Sequence, residues 1–173
     1  MTVEIALLRG INVGGAGKLP MAELRVILTD LGAEAVETYI QSGNAVYRGK
    51  LEAEAIAKAI EAAHGFRPQV MLLSAAALAK AIRGNPFREA EDEPKTLHLH
   101  FLGGPSKADP TIFADKSNGI ERWHLDGRLF YLHSPGGLSK SKLAPRVERL
   151  LGVPVTARNW ATVTKLAAMA EAL

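Results

Sequence analysis

Residues 3–31, VEIALLRGINVGGAGKLPMAELRVILTDL, place a strand, a glycine-rich loop and a helix one after another. The first six residues are mostly apolar and favour a strand that is buried on both faces. Pro20 suits the first turn of a helix, and apolar residues then recur at helical spacing until Gly32 ends the pattern. The stretch therefore predicts a β-α unit whose connecting loop is rich in glycine.

The next elements extend this unit to the order β-α-β-β-α-β plus one helix. Two short strands flank Ser42-Gly43, which is a hairpin signal. A helix covers about 52–64 and ends at Gly65, and PQVMLL (68–73) forms another strand. Ser74 is then placed to cap a short alanine-rich helix.

The second half of the chain repeats this order without repeating the residues. Its predicted elements are a strand at 96–102, a short helix from Asp109-Pro110, two strands flanking Asp126-Gly127, a helix over 138–151, a short strand at 153–156 and a last helix after Asn159. Repetition of one order favours two copies of a split β-α-β unit.

The predicted fold class is therefore α+β, with two ferredoxin-like βαββαβ units, each followed by an extra helix, packed together. We predict an N-terminal unit over 1–83 that includes the loop 9–18, an acidic linker over 84–94, and a C-terminal unit over 95–173. The sequence leaves open whether the two sheets stay separate or merge edge to edge.

The composition favours a cytoplasmic protein with a real core. Apolar residues make up 47% of the chain and charged residues 23%, as in ordinary globular domains. The absence of cysteine excludes disulfides, thiol nucleophiles and cysteine-ligated metals, and it fits a reducing compartment. No apolar run reaches the roughly 18 residues of a membrane span, and the N-terminus is typical of a strand rather than a signal peptide.

Charge is distributed unevenly along the chain. The net charge of +3 is too small to indicate nucleic-acid binding by itself. Residues 137–165, however, contain six basic residues and only Glu148 as an acid. This excess indicates either solvated helix faces or a surface that meets an anion.

The loop RGINVGGAGK (9–18) resembles a phosphate-binding loop but matches neither common motif. A Walker loop would need glycine where Asn12 stands and serine or threonine where Leu19 stands. A dinucleotide fingerprint would need its third glycine where Pro20 stands. Two interpretations stay open: a generic anion site near the helix start, or a turn that binds nothing.

Two further features admit a binding role and a structural one. His98 and His100 share one face of their strand, and His124, Tyr131 and His133 are predicted to face the same way. An open histidine face would suit nucleic acid or a metal, whereas a covered one would be structural. Likewise, Trp160 either stacks on a base or packs the last helix on the core.

The same stretches resemble a known bacterial family. LLRGINVGG (7–15), MAELR (21–25), TYIQSGN (38–44), LSKSKL (138–143) and TARNWATVTKL (156–166) are similar to motifs of the family called domain of unknown function 1697. The resemblance covers essentially the whole chain. It implies a two-part α+β fold with ferredoxin-like character, and it implies no activity, because none is established for the family as a whole.

The resemblance also supplies the candidate site. Carried over position by position, the candidate ligand-binding residues are Arg9, Asn12, Gly14, Gly15, Ser42, Asn44, Ser139, Lys142, Arg158, Asn159, Trp160 and Lys165. We expect the motifs of both halves to converge and to present cations. No metal ligand set and no cofactor motif is predicted.

Three functions follow from these residues. The leading hypothesis is binding of an anionic ligand, either a phosphate-bearing small molecule or a segment of nucleic acid. The second is an enzyme on a small phosphorylated or carboxylated substrate, in which Lys142 activates Ser42 or Ser139. The third is a structural or self-associating protein whose motif residues are bonded to the backbone. The oligomeric state is left open.

Overall fold

Strands and helices alternate along the chain in the predicted order. A computed structural model describes residues 1–173, which divide into two compact units. The first unit comprises Met1–Lys80 and Lys165–Leu173, and the second comprises Ala81–Thr164. Segment 84–94, the predicted acidic linker, lies within the second unit and contains a 3-10 turn at Arg88–Asp92.

The first unit contains an antiparallel sheet of four strands in the order β2-β3-β1-β4. Its elements are β1 (Val3–Arg9), α1 (Met21–Asp30), β2 (Glu34–Tyr39), β3 (Asn44–Arg48), α2 (Ala53–His64), β4 (Gln69–Ser74) and α3 (Ala75–Arg83), of which α3 runs past the end of this unit. As predicted, Ser74 caps α3 by accepting a hydrogen bond from the amide of Ala77 at 3.1 Å.

The second unit repeats the topology with the strand order β6-β7-β5-β8. Its elements are β5 (Leu97–Leu102), α4 (Ile112–Lys116), β6 (Arg122–Asp126), β7 (Leu129–His133), α5 (Val147–Leu151), β8 (Val155–Asn159) and α6 (Trp160–Ala172), of which α6 runs past the end of this unit. The predicted α+β fold of two ferredoxin-like units is confirmed, and each unit has its own four-stranded sheet.

Each unit buries an apolar cluster between its sheet and its helices. In the first unit, Leu24 and Leu28 of α1 pack with Ile56 and Ile60 of α2, and with Leu8 of β1. The spacing of four residues in both helices places each pair on one face. Burial of these side chains fixes the register of β1 and therefore the position of the loop that follows it.

In the second unit the cluster is built around aromatic side chains. Phe113 of α4 lies 4.8 Å, between ring centroids, from Phe130 of β7, and both rings are fully buried. Val147 and Leu151 of α5 pack on the same cluster. These contacts hold α4 and α5 on one face of the sheet.

The predicted helix over 138–151 is wrong in its first half. Residues 138–140 and 144–146 form 3-10 turns, and only Val147–Leu151 is α-helical. Pro145 disfavours helical conformation at the residue before it and cannot donate a backbone hydrogen bond. Residues 138–146 are therefore an irregular segment.

Candidate functional site

The loop after β1 is a miniature hairpin. The amide of Asn12 donates to the carbonyl of Gly17 at 2.9 Å, and that of Ala16 donates to Val13 at 3.1 Å. Gly14 and Gly15 occupy the tip with φ of 60° and 77°. Two consecutive positive φ values are what a type I′ hairpin turn requires, and glycine accepts them without strain. Turn geometry thus accounts for the paired glycines.

The Asn12 side chain connects this hairpin to two neighbouring segments by hydrogen bonds. Its Nδ2 donates to the backbone carbonyls of Leu19, at 2.9 Å, and Gln41, at 2.8 Å. Its Oδ1 accepts a hydrogen bond from the amide of Leu19 at 2.8 Å. Asn12 itself has φ of 53°, a conformation that asparagine tolerates better than most residues. The side chain therefore ties the hairpin to the start of α1 and to the turn between β2 and β3.

The turn between β2 and β3 is held by its own motif residues. Asn44 is fully buried, and its Nδ2 donates to the Tyr39 carbonyl at 2.8 Å and to the Ser42 hydroxyl at 3.1 Å. The carbonyl of Gly43 accepts a hydrogen bond from the amide of Leu8 at 2.8 Å. The structure thus brings together Asn12, Ser42 and Asn44 as parts of one braced pair of loops.

Gly43 is constrained both by its backbone conformation and by close side-chain packing. Its φ is 95°, and an added Cβ would lie 2.6 Å from Ile11 Cδ1 and 2.8 Å from Leu8 Cβ. We expect Gly43→Ala to lower the free energy of unfolding by about 3 kcal/mol, from backbone strain and overpacking together. Urea unfolding measures this, and Gly14→Ala, where a Cβ meets nothing within 4 Å, is the control for backbone strain alone. Equal losses in the two variants would contradict the packing argument.

The basic candidates of the first unit lie at its surface. Arg9 is exposed at the end of β1, and its Nη1 donates to Gln69 Oε1 at 3.4 Å. Lys165 is exposed on α6, and Lys18 is exposed between the hairpin and α1. These cations are accessible to a ligand, whereas the neighbouring asparagines are committed to the backbone.

In the second unit, Ser139 and Lys142 are exposed on the irregular segment 138–146. The serine with a defined structural role is the neighbour, Ser141, whose hydroxyl donates to Glu121 Oε1 and accepts from the amide of Ala144 at 2.9 Å. A nucleophilic pair would need a lysine shielded from water beside the serine, and two exposed side chains do not provide that shielding.

Glu121 is the organising residue that the sequence did not reveal. Its side chain is only 4% exposed. Besides Ser141, Oε1 accepts from the amide of Leu143 at 3.2 Å, and Oε2 accepts from the amide of Asn118 at 3.0 Å. The carboxylate thereby fastens segment 138–146 to the turn before β6. An acidic residue outside the long motifs gives no sequence signal for such a role.

Three candidate residues around β8 and α6 have different structural roles. Asn159 is the N-cap of α6, since its Oδ1 accepts from the amide of Thr162 at 2.9 Å. Trp160 is only 2% exposed, which favours its packing role over base stacking. Burial lowers the pKa of Arg158 to about 10, and its Nη1 donates to the Ala157 carbonyl at 2.9 Å.

The prediction that His124 and His133 face the same way as His98 and His100 is wrong. Leu97 pairs with His133 across β5 and β7, so His133 lies on the face that Leu97 occupies. His124 lies on that same face of the β6–β7 hairpin, while His98 and His100 point the opposite way. The sequence showed the alternation within each strand, but it could not show the register between strands.

His98 and His100 are core histidines. They are 7% and 4% exposed, and the Nδ1 atom of each is buried without a hydrogen-bond partner. The His100 ring meets Phe130 edge to face at a centroid distance of 5.6 Å. Burial lowers the pKa of His98 to about 4 and that of His100 to about 3. Both rings are therefore neutral at physiological pH.

The candidate residues divide between the two units. Those in the first unit are Arg9, Asn12, Gly14, Gly15, Ser42, Asn44 and Lys165. Those in the second unit are Ser139, Lys142, Arg158, Asn159 and Trp160. No group of three or more histidine or carboxylate side chains is placed to hold a metal ion. None of the helices has the length and apolar character needed to cross a membrane.

Comparison with known proteins identifies the family. The description "Protein of unknown function (DUF1697)" applies to the family that matches residues 1–131. The chain belongs to the DUF1697 family. It is also similar in structure to the conserved bacterial protein SP0830 from Streptococcus pneumoniae, with 25% sequence identity, a TM-score of 0.66 and 99% of each chain covered. No curated protein matches the chain. The family membership that the sequence motifs predict is thus confirmed.

Proposed function

We propose that the protein binds an anionic ligand, which is a nucleotide, a phosphorylated metabolite or a segment of nucleic acid. The cations of segment 138–146 contribute the charge that attracts it. The observation that carries the proposal is a group of four basic side chains on two segments that hydrogen bonds hold together. The participation of Arg9, Arg158 and Lys165 stays a prediction.

The four cations are Lys116, Lys140, Lys142 and Arg146. They lie on two segments, 116–118 and 138–146. Hydrogen bonds join these segments, because Arg146 Nη1 donates to the Lys116 carbonyl at 3.4 Å and Asn118 Nδ2 donates to the Lys140 carbonyl at 3.1 Å. The three lysines are exposed. Their charges therefore add to one local positive potential at the surface.

Three nearby acids, Asp115, Glu121 and Glu148, offset part of the charge of the four cations. Glu121 is buried and accepts two hydrogen bonds from segment 138–146 and one from the amide of Asn118. Glu148 directs Oε2 to the amide of Val155 at 2.9 Å. Only Asp115 is exposed beside Lys116. The surface keeps a net positive charge, which favours a ligand that carries several negative charges.

The side chains around this charge favour recognition of phosphate rather than of a base. Ser139 is exposed and offers a hydroxyl, and lysine ammonium groups meet phosphate as point charges. Trp160, the aromatic side chain that the sequence offered for stacking, is enclosed. The ligand is therefore expected to bind through its phosphates, with weak discrimination among bases.

The test is a titration of the wild-type protein with inorganic pyrophosphate, ATP and a labelled single-stranded oligonucleotide at two salt concentrations. We expect Lys140→Gln with Lys142→Gln to raise Kd about tenfold, equivalent to about 1.4 kcal/mol, because two of the four charges are lost. The matched control is Lys50→Gln with Lys80→Gln, which removes two exposed lysines of the first unit. Binding of none of the three probes, or equal losses in both double variants, would refute the proposal.

A structural role is the second candidate, and a specific observation favours it. Asn12, Asn44 and Asn159 all bond to backbone groups, as expected if the motif serves the fold. This role would account for the asparagines without accounting for the exposed lysines. If no probe binds and Gly43→Ala is strongly destabilising, the structural role becomes the better account of the motif.

A further inference from the structure

Strand β4 is an unprotected edge of the first sheet. It pairs with β1 on one side and ends the strand order on the other. Its sequence, QVMLLS, contains neither charge nor proline. The four central residues, Val70 to Leu73, are each partly exposed, although they alternate between the two faces of the sheet. Since β4 ends the strand order, no strand of this sheet pairs with its side away from β1.

The backbone groups that β4 presents outward follow from the pairing of β1. The amide of Leu8 donates to Gly43, on the β3 side of β1. Alternate residues of β1, such as Leu7, therefore direct their backbone groups to β4, where Leu7 pairs with Met71. It follows that Val70 and Leu72 direct their N–H and C=O groups outward, where the chain supplies no backbone partner.

The other three sheet edges carry the features that normally prevent strand addition. β2 contains Glu34 and Glu37 and has a register shift between them. β6 exposes Arg122 and Asp126 at its ends, and β8 contains Arg158. Charges and bulges at an edge discourage pairing with another chain. β4 is the exception among the four edges.

We infer that β4 is a self-association edge, at which the β4 strand of a second copy of the chain adds in antiparallel orientation. An antiparallel pair about a two-fold axis needs only one kind of edge, because each strand supplies the same groups to the other. With Leu72 opposite the same residue of the second copy, Met71 lies opposite Leu73. The eight partly exposed apolar side chains of the two strands would then be buried on both faces of a continuous sheet.

A second copy fits this edge better than a foreign strand does. The edge has no charge that would select a partner of opposite charge. Two copies of an uncharged strand also meet without repulsion between like charges. Apolar residues on both faces match the identical pattern of the second copy. This inference does not rest on the proposed anion binding, since the basic segment lies in the second unit.

The first test is the mass of the wild-type protein in solution over a concentration series. Light scattering should give twice the chain mass of 18.5 kDa. Val70→Pro removes an outward N–H without removing a hydrogen bond to β1. Met71→Lys places like charges on both β4 strands where the two copies would pair. Both variants should return the mass to that of one chain. Glu37→Lys on β2 is the control and should keep the doubled mass.

Hydrogen exchange tests the same edge in the wild-type protein, without relying on a variant that folds. At high concentration the amides of Val70 and Leu72 should exchange slowly, and on dilution their exchange should accelerate. The amide of Met71, which bonds to β1, should stay protected at both concentrations. A single-chain mass at every concentration would overturn the inference. So would a doubled mass with rapid exchange at Val70 and Leu72, which would place the association elsewhere.

Discussion

Lowering the pH from 7 to 5 is expected to reduce the free energy of unfolding by about 4 kcal/mol through His98 and His100. Both imidazoles have an ordinary pKa of 6.5, and burial lowers it to about 4 for His98 and about 3 for His100. Well above pH 6.5 both imidazoles are neutral in the folded and in the unfolded chain, so this contribution to stability is full. Below it the unfolded chain takes up protons that the folded chain does not, and stability falls until the folded pKa is reached.

Urea unfolding at pH 7, 6 and 5 measures this loss. Replacing both histidines with leucine should remove most of the pH dependence in this range. The double replacement should lower the free energy of unfolding little at pH 7. Each histidine ring buries an Nδ1 atom without a hydrogen-bond partner, and leucine removes that unfavourable burial. His124→Leu, at an exposed position of β6, is the matched control and should leave the pH dependence intact. A steep loss of stability in the double variant would assign the effect to other groups.

The fold was predictable because its signals are local. Pro20 at the start of α1 and Gly65 at the end of α2 are terminal signals that act within one turn. The order of strands and helices then restricts the topology to few choices. The helix predicted over 138–151 is wrong in its first half because Pro145, also a local signal, opposes the helix that the apolar spacing favours.

The candidate site was less predictable because its roles depend on distant partners. The paired glycines suggested an anion site, yet Gly14 and Gly15 form the tip of a hairpin. Nothing in the sequence around Asn12 indicates that its side-chain amide donates a hydrogen bond to the carbonyl of Gln41. The prediction of a shared histidine face is wrong for a related reason, since periodicity fixes the alternation of side chains within a strand but not the register between strands. Motif recognition located these residues, and only the contacts assigned their roles.

Removing the Glu121 carboxylate is expected to cost about 4 kcal/mol of unfolding free energy, because three buried or partly buried donors lose a charged acceptor. Those donors are the Ser141 hydroxyl and the amides of Leu143 and Asn118. Glu121→Ala measured by urea unfolding should show the full loss. Glu121→Gln keeps one carbonyl oxygen as an acceptor and should lose about half as much.

The same variant connects the fold to the proposed function. Glu121 fastens segment 138–146, so its loss should free Lys140 and Lys142 from a fixed arrangement before the whole unit unfolds. Glu121→Ala should therefore accelerate hydrogen exchange at Leu143 and raise Kd for pyrophosphate, although it removes a negative charge near the cations. Glu37→Ala, at an exposed position of β2, removes an equal charge and should change neither. Tighter binding by Glu121→Ala would mean that net charge, not the held position of the lysines, governs binding.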